Sequence, residues 1–83
     1  MDIEVLMRRL AESGVTAILK TDHERFAESG NGWTLVISGA RLAEIGFVRA
    51  EAPTLAECLR AVLPRLAGVD EEWQWVLEYV PEP

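Results

Sequence analysis

The sequence predicts an α+β fold, a two-layer sandwich whose elements follow the order α-β-β-β-α. Three observations support this prediction. Apolar residues recur at helical spacing near the start and again after the middle of the 83-residue chain. Three stretches rich in β-branched and aromatic residues lie between them, separated by glycine-containing turns. A three-stranded antiparallel meander has one apolar face, which two amphipathic helices can cover.

The first helix is predicted over residues 3–13. Asp2 is suited to cap it, because the carboxylate can accept a hydrogen bond from a free amide of the first turn. Gly14 follows, and glycine is typical of the position after a helix end. The apolar face of this helix carries Ile3, Leu6, Met7 and Leu10.

Strands are predicted over residues 15–21, 33–38 and 42–50. Residues 22–29 are polar and predict a loop or a continuation of the first strand towards a hairpin. Asn31-Gly32 favours a type I′ turn, because both residues tolerate positive φ. A second turn is predicted at Gly39-Ala40-Arg41. In the third strand, Ile45 and Phe47 are expected on one face and Glu44 and Val48 on the other, with Gly46 marking a bulge.

The second helix begins with a capping box at Thr54-Leu55-Ala56-Glu57. A proline within a helix removes one backbone hydrogen bond and clashes with the preceding turn. Pro64 therefore predicts either a kink near Arg60 or an end near Leu63, and Gly68 closes the element. The apolar stripe of this helix comprises Leu55, Cys58, Leu59, Val62, Leu63 and Leu66.

The last segment, residues 70–80, allows two interpretations. As a helix, it would be capped by Asp70, with acidic residues in its first turn. As a strand, it would place Trp73 and Trp75 on one face, and its aromatic and β-branched composition favours this. We expect residues 1–83 to form one domain, frayed from about residue 81. The outer face of the sheet would be exposed, or covered by this segment or by a partner.

The chain is acidic, with 14 acids against 8 bases and a net charge of −6. Residues 51–83 hold seven acids and two bases, a net of −5. The element order resembles that of double-stranded RNA-binding domains, which grip phosphates with lysines at the start of the last helix. The only lysine here is Lys20, and none lies in residues 52–57. We therefore expect no direct binding to nucleic acid.

The sequence also argues against a membrane protein, a disulfide and a metal site. No apolar run approaches the roughly 18 residues of a membrane span. The first residues lack the basic region of a secretion signal, so we expect a cytoplasmic protein. One cysteine forms no intramolecular disulfide. One histidine and one cysteine do not predict a zinc site, and no glycine motif predicts a cofactor.

Two residues are candidates for catalysis, and neither has a recognisable partner. His23 stands between acids in a polar stretch, which is typical of a surface histidine. Cys58 lies on the apolar stripe of the second helix, which predicts a small core residue. We therefore expect that the protein is not an enzyme, with a small RNA-processing enzyme using His23 as the weakest alternative.

The leading hypothesis is a small acidic protein-binding module whose partner has a basic surface. Immunity proteins, antitoxins and anti-CRISPR proteins, which inhibit nucleic-acid-handling proteins, have this size and charge. The first alternative is a homodimer or larger homo-oligomer with a structural or accessory role, because a meander has two edges and an open face. The predicted binding residues combine aromatic rings with acidic side chains and comprise Asp70, Glu71, Glu72, Trp73, Trp75 and Glu78.

Overall fold

The computed structural model describes residues 2–83 and confirms the α+β class and the α-β-β-β-α order, with one short helix added. The strands form an antiparallel sheet in the order β1-β2-β3. Two 3-10 segments, Ala40–Ile45 and Glu71–Tyr79, complete the chain. The helices and strands are α1 Ile3–Glu12, β1 Thr16–Thr21, α2 His23–Glu28, β2 Trp33–Ser38, β3 Phe47–Ala52 and α3 Leu55–Ala67.

The two faces of the sheet differ in what covers them. On the inner face, Leu35 lies between Leu19 and Ala50 in the register, and Leu35 is buried beneath the helices. On the outer face, the large apolar side chains Ile18 and Phe47 are 54% and 55% exposed. Helices α1 and α3 therefore form one layer on one side of the sheet.

Helix α3 provides much of the core. Its residues Cys58, Leu59, Val62, Leu63 and Leu66 have no exposed surface. The Cys58 Sγ lies 3.4 Å from the carbonyl oxygen of Trp33 on β2, which places the helix directly on the sheet. The prediction that Cys58 is a core residue is confirmed.

Both predicted helix caps are present. The Asp2 carboxylate accepts a hydrogen bond from the Val5 amide at 3.1 Å. The Thr54 hydroxyl oxygen accepts one from the Glu57 amide at 3.1 Å and donates to the Glu57 carboxylate at 3.1 Å. These side chains satisfy amides that the first turn of a helix leaves without backbone partners.

The predicted loop or strand at residues 22–29 is wrong, because His23–Glu28 forms helix α2. The Asp22 carboxylate caps it by accepting from the Glu24 amide at 2.9 Å, which lowers the pKa of Asp22. The type I′ turn is also absent from the described chain: Gly30 has a φ of +80°, whereas Asn31 keeps a negative φ. Helix α2 lies between β1 and β2, so these strands are joined by a connection much longer than a two-residue hairpin. A type I′ turn therefore does not link them.

The third strand begins later than predicted. Residues 42–45 belong to a 3-10 segment, and β3 runs from Phe47 to Ala52. Leu42 is fully buried, so its side chain contributes to the core without a strand. Gly46 precedes β3 with a φ of +72°, and it is not a bulge within the strand. Ile45 and Phe47 are both exposed, but only Phe47 lies on the sheet.

Helix α3 continues through Pro64 to Ala67, so the predicted end near Leu63 is wrong. Pro64 itself is exposed, while Leu66 and Ala67 beyond it are buried. Continuing the helix buries these two apolar side chains. The free energy of this burial offsets the loss of the backbone hydrogen bond that proline cannot make. The predicted closure at Gly68 is confirmed, since its amide donates to the Pro64 carbonyl at 3.1 Å.

The strand interpretation of the last segment is wrong, because Glu71–Tyr79 is a 3-10 helix packed on α3. Trp73 and Val76, three residues apart, are both fully buried on its inner side. The segment belongs to the helical layer and does not cover the outer face of the sheet, where Ile18 and Phe47 stay exposed although Thr34 is buried. Within residues 2–83, no helix has the length and apolar character needed to cross a membrane.

Candidate functional site

The six residues predicted to bind a partner lie on or beside the C-terminal 3-10 segment, but they do not form one surface. Trp73 has no exposed area and packs in the core. Its indole nitrogen has no hydrogen-bond partner among the described residues. The ring therefore stabilises the fold through apolar burial, and the expectation that it contacts a partner is corrected.

Trp75 is half-buried because an arginine covers it. The Arg9 guanidinium carbon of α1 lies 4.1 Å from the centre of the Trp75 ring and 5.5 Å from that of Tyr79. Arg9 also donates to the Tyr79 hydroxyl at 2.9 Å, and its Nη1 lies 3.8 Å from the Glu78 carboxylate. This arrangement fastens the C-terminal segment to α1, so Trp75 acts first as a structural contact.

The acidic residues at the start of the segment have different environments. The Asp70 carboxylate accepts from the Glu72 amide at 2.9 Å and caps the segment. Glu72 forms an ion pair with Arg41 at 3.0 Å. Glu71 is exposed and has no ion-pair partner among residues 2–83. Of these three carboxylates, that of Glu71 is the most available to a partner.

A groove adjoins these acidic residues, and the sequence did not predict it. The groove has a volume of about 560 Å³ and lies between the first 3-10 segment and the end of α3. Asp70 directly follows Val69, so the acidic start of the C-terminal segment adjoins one wall. We call it the Ile45 groove, and its lining residues are Leu42, Ala43, Glu44, Ile45, Arg65, Gly68 and Val69.

The wall formed by the first 3-10 segment has an unusual backbone. Ala43 has φ 53° and ψ −136°, and it is the only described non-glycine residue with a positive φ. Such a conformation costs on the order of 1–3 kcal/mol and persists only where surrounding packing holds it. Leu42, buried on one side, and Ile45, 52% exposed on the other, are the apolar residues that flank it. The strained turn therefore presents Ile45 at the surface.

Arg65 is the one basic residue that lines the groove. Its guanidinium donates to the carbonyl oxygens of Ala61 and Arg49, each at 3.1 Å. These bonds hold the side chain against α3 and β3, while Glu44 remains unpaired among the described residues. The groove thus combines an apolar wall with a carboxylate and with the neighbouring residues 70–72.

The two candidate catalytic residues lie apart from this groove. His23 is the first residue of α2 and is exposed, and no hydrogen bond reaches its ring from residues 2–83. Cys58 is buried, and this burial raises the pKa of its thiol, which disfavours the nucleophilic thiolate. The two residues thus lie on different elements, His23 at the surface and Cys58 in the core.

Sequence reasoning missed the groove because it assigned residues 42–45 to a strand. The available signal was the pair of glycines, Gly39 and Gly46, that bracket this stretch, both of which have positive φ.

Comparison of the chain with protein-family models, with curated proteins and with solved structures found no match.

Proposed function

We propose that the protein is a small acidic protein-binding module that does not act as an enzyme, and that its partner has a basic surface. The observation that carries this proposal is the Ile45 groove, an open apolar cleft beside acidic residues. Apolar surface provides the binding energy of an interface, and its charged surroundings select the partner.

The charge distribution favours a basic partner. Residues 51–83 carry a net charge of −5 within a chain of net −6. Glu44 lines the groove, and the exposed Glu71 follows the lining residue Val69 by two positions in the chain. A partner that presents one apolar side chain flanked by lysine or arginine would pack against Ile45 and Val69. Its cations would then approach the carboxylates, and the protein's negative field would accelerate the encounter.

The proposed surface keeps part of the sequence-based hypothesis. Asp70, Glu71 and Glu72 remain in it, because they adjoin the groove in the chain. Trp73 does not, because it is buried. Trp75 and Glu78 lie towards α1, in contact with Arg9, and serve at most the edge of the surface.

A blocking role suits this kind of surface. Proteins that handle nucleic acids have basic surfaces, which an acidic protein can occupy in place of phosphate. We therefore propose an inhibitor of such a protein, in the manner of an immunity protein, an antitoxin or an anti-CRISPR protein. This function needs shape and charge complementarity and no cofactor.

Site-specific photo-crosslinking tests the proposal. The photo-reactive residue p-benzoylphenylalanine replaces Ile45 in one variant and Phe47 in the other, and both are expressed in cells of the source organism. The two positions are 52% and 55% exposed, so they are matched for access, but Phe47 lies on the outer sheet face. We expect crosslinks to one basic protein from position 45 and none to that protein from position 47.

A second change makes the test specific for charge. Glu44→Lys in the position-45 variant is expected to reduce the crosslink strongly, whereas Glu28→Lys on α2 leaves it unchanged. The proposal fails if position 45 gives no specific crosslink, if the crosslinked protein is acidic, or if both charge reversals have the same effect.

A further inference from the structure

Strand β1 forms one edge of the sheet. Along it, residues whose amide and carbonyl bond to β2 alternate with residues whose amide and carbonyl have no partner. The Asp22 amide donates to the Gly32 carbonyl at 2.9 Å, which fixes the bonded pair at the end of the β1–β2 ladder. In an antiparallel ladder, bonded and non-bonded pairs alternate along each strand. The β1 residues that bond to β2 are therefore Thr16, Ile18 and Lys20.

The amides and carbonyls of Ala17, Leu19 and Thr21 consequently point away from the sheet. Across residues 2–83, no backbone or side-chain hydrogen bond reaches these groups. An edge strand with open backbone groups is a template for another strand, and proteins usually protect such an edge. The charge of Lys20 on the outer face is the one protective feature of β1.

The opposite edge of the sheet is partly protected by side chains. The same alternation makes the Arg49 carbonyl point outwards from β3, and Arg65 of α3 donates to it at 3.1 Å. The Glu51 side chain on the same strand pairs with Arg49 and with Arg25 of α2, so charged side chains flank this edge. Only β1 therefore leaves the full length of its edge open among the described strands.

Apolar side chains of the core are incompletely buried along β1. Ala17 and Leu19 lie on the inner face, yet they are only half-buried, as are Ile3 and Met7 of α1. Their counterparts on the central strand, Leu35 and Ile37 in the register, are fully buried. A further strand beside β1 would extend the sheet and cover this apolar margin.

We propose that β1 pairs antiparallel with β1 of a second copy about a two-fold axis at Leu19. This axis places Leu19 opposite its own copy and Ala17 opposite Thr21 of the partner subunit. Every outward amide and carbonyl of these three residues then gains a hydrogen-bond partner, because the open positions are symmetric about Leu19. The resulting dimer is two-fold symmetric, and neither copy of β1 keeps an unpaired edge.

The charge on β1 is compatible with a second copy. Lys20 is the only charged residue of the strand, and the axis sets it opposite Ile18 of the partner subunit, so the two ammonium groups are not in direct opposition. Dimerisation does not use the lining residues of the Ile45 groove, none of which belongs to β1. The inference is therefore independent of the proposed function, and each can fail alone.

Amide hydrogen exchange followed by NMR, together with light scattering over a range of concentrations, tests the dimer. We expect the mass to rise from 9.3 kDa towards twice that value. The Ala17, Leu19 and Thr21 amides should exchange fast at low concentration and about tenfold more slowly where nine-tenths of the chains are dimeric. The Ile18 and Lys20 amides should be slow at both concentrations, because they bond to β2.

Two variants sharpen the test. Thr21→Pro and Ala17→Pro each remove an outward donor without removing a bond to β2, so a folded monomer is expected. Lys20→Pro, the control, removes a bond to β2 and should destabilise the fold itself. If the variants do not fold, the exchange pattern of the unaltered protein decides. A monomer at every concentration overturns the proposal, as does a dimer whose three outward amides exchange as fast as in the monomer.

Discussion

Arg9 is the residue that connects the two ends of the described chain. Its guanidinium packs on Trp75 and donates to Tyr79, so one side chain on α1 positions two rings of the C-terminal segment. An arginine over an aromatic face combines electrostatic attraction with packing of the apolar stem. The contact joins this segment to α1, in addition to the packing of its buried residues Trp73 and Val76 on α3.

Arg9→Ala is predicted to destabilise the protein by about 1–2 kcal/mol, because it removes a cation–π contact and a hydrogen bond. The measurement is urea denaturation followed by tryptophan fluorescence, and the emission of the native state should shift to the red as Trp75 becomes exposed. Arg8→Ala is the matched control, since Arg8 is exposed and has no ion pair among residues 2–83. Equal effects of the two substitutions would contradict the role assigned to Arg9.

At the scale of elements, α3 illustrates how tertiary packing overrides a local signal. Proline within a helix is about 3 kcal/mol less favourable than alanine, yet α3 runs through Pro64. The helix persists because Leu66 and Ala67, which follow Pro64, are buried on its inner face. Burying a large aliphatic side chain contributes roughly 1.5–3 kcal/mol, which is comparable with the local penalty.

Pro64→Ala is accordingly predicted to stabilise the protein, by about 1–3 kcal/mol, since the new amide can donate to the Arg60 carbonyl. Thermal and urea denaturation measure the change. Pro53→Ala is the control: this proline is also exposed but precedes the helix, so its loss should be neutral or slightly destabilising. A loss of stability in Pro64→Ala would show that the proline favours a local geometry that the core requires.

On the scale of the whole molecule, charge and shape divide the surface into regions. The acidic C-terminal part adjoins the Ile45 groove, whereas the outer sheet face carries Lys20, Arg49 and Glu51, with Arg25 of α2 paired to Glu51. A chain of net charge −6 thus has one face that is locally basic. The acidic region beside the groove and the basic outer sheet face suit partners of opposite charge. A cationic partner is therefore expected at the groove.

Charge reversal at Glu71 is predicted to slow association with the partner found by crosslinking by about two- to tenfold at low ionic strength. Glu71→Lys leaves the Glu72–Arg41 pair and the Asp70 cap intact, so the fold should be preserved. Stopped-flow association rates at several salt concentrations measure the effect, which should shrink as salt rises. An unchanged association rate would remove Glu71 from the proposed surface, and Glu24→Lys on α2 serves as the control.

Most of the fold could be predicted from the sequence, because local rules act at its element ends. Asp2 and Thr54 cap their helices as predicted, and β2 spans residues 33–38 as predicted. The misassigned segments have sequences that suit more than one structure. Residues 22–29 contain helix formers beside a capping aspartate, and this signal was outweighed by the neighbouring Asn-Gly pair.

The site was less predictable than the fold. Tryptophans and acids at the C-terminal end indicated a binding surface, but Trp73 is core and Trp75 lies under Arg9. A binding surface depends on what remains exposed after packing, and the partner of a side chain such as Trp75 lies far away in sequence. The Ile45 groove likewise arises from two segments that only folding brings together.

The fold class, the order of the main elements, the caps of α1 and α3, and the acidic charge all follow from residue types and their local spacing. Each of these depends on residue type and on spacing over one or two helical turns. Contacts made on folding gave residues 71–79 their helical conformation and placed Leu42 in the core without a strand. The tertiary structure also decided that β1 keeps an open edge. These outcomes depend on contacts between distant segments, whose burial energies exceed local preferences.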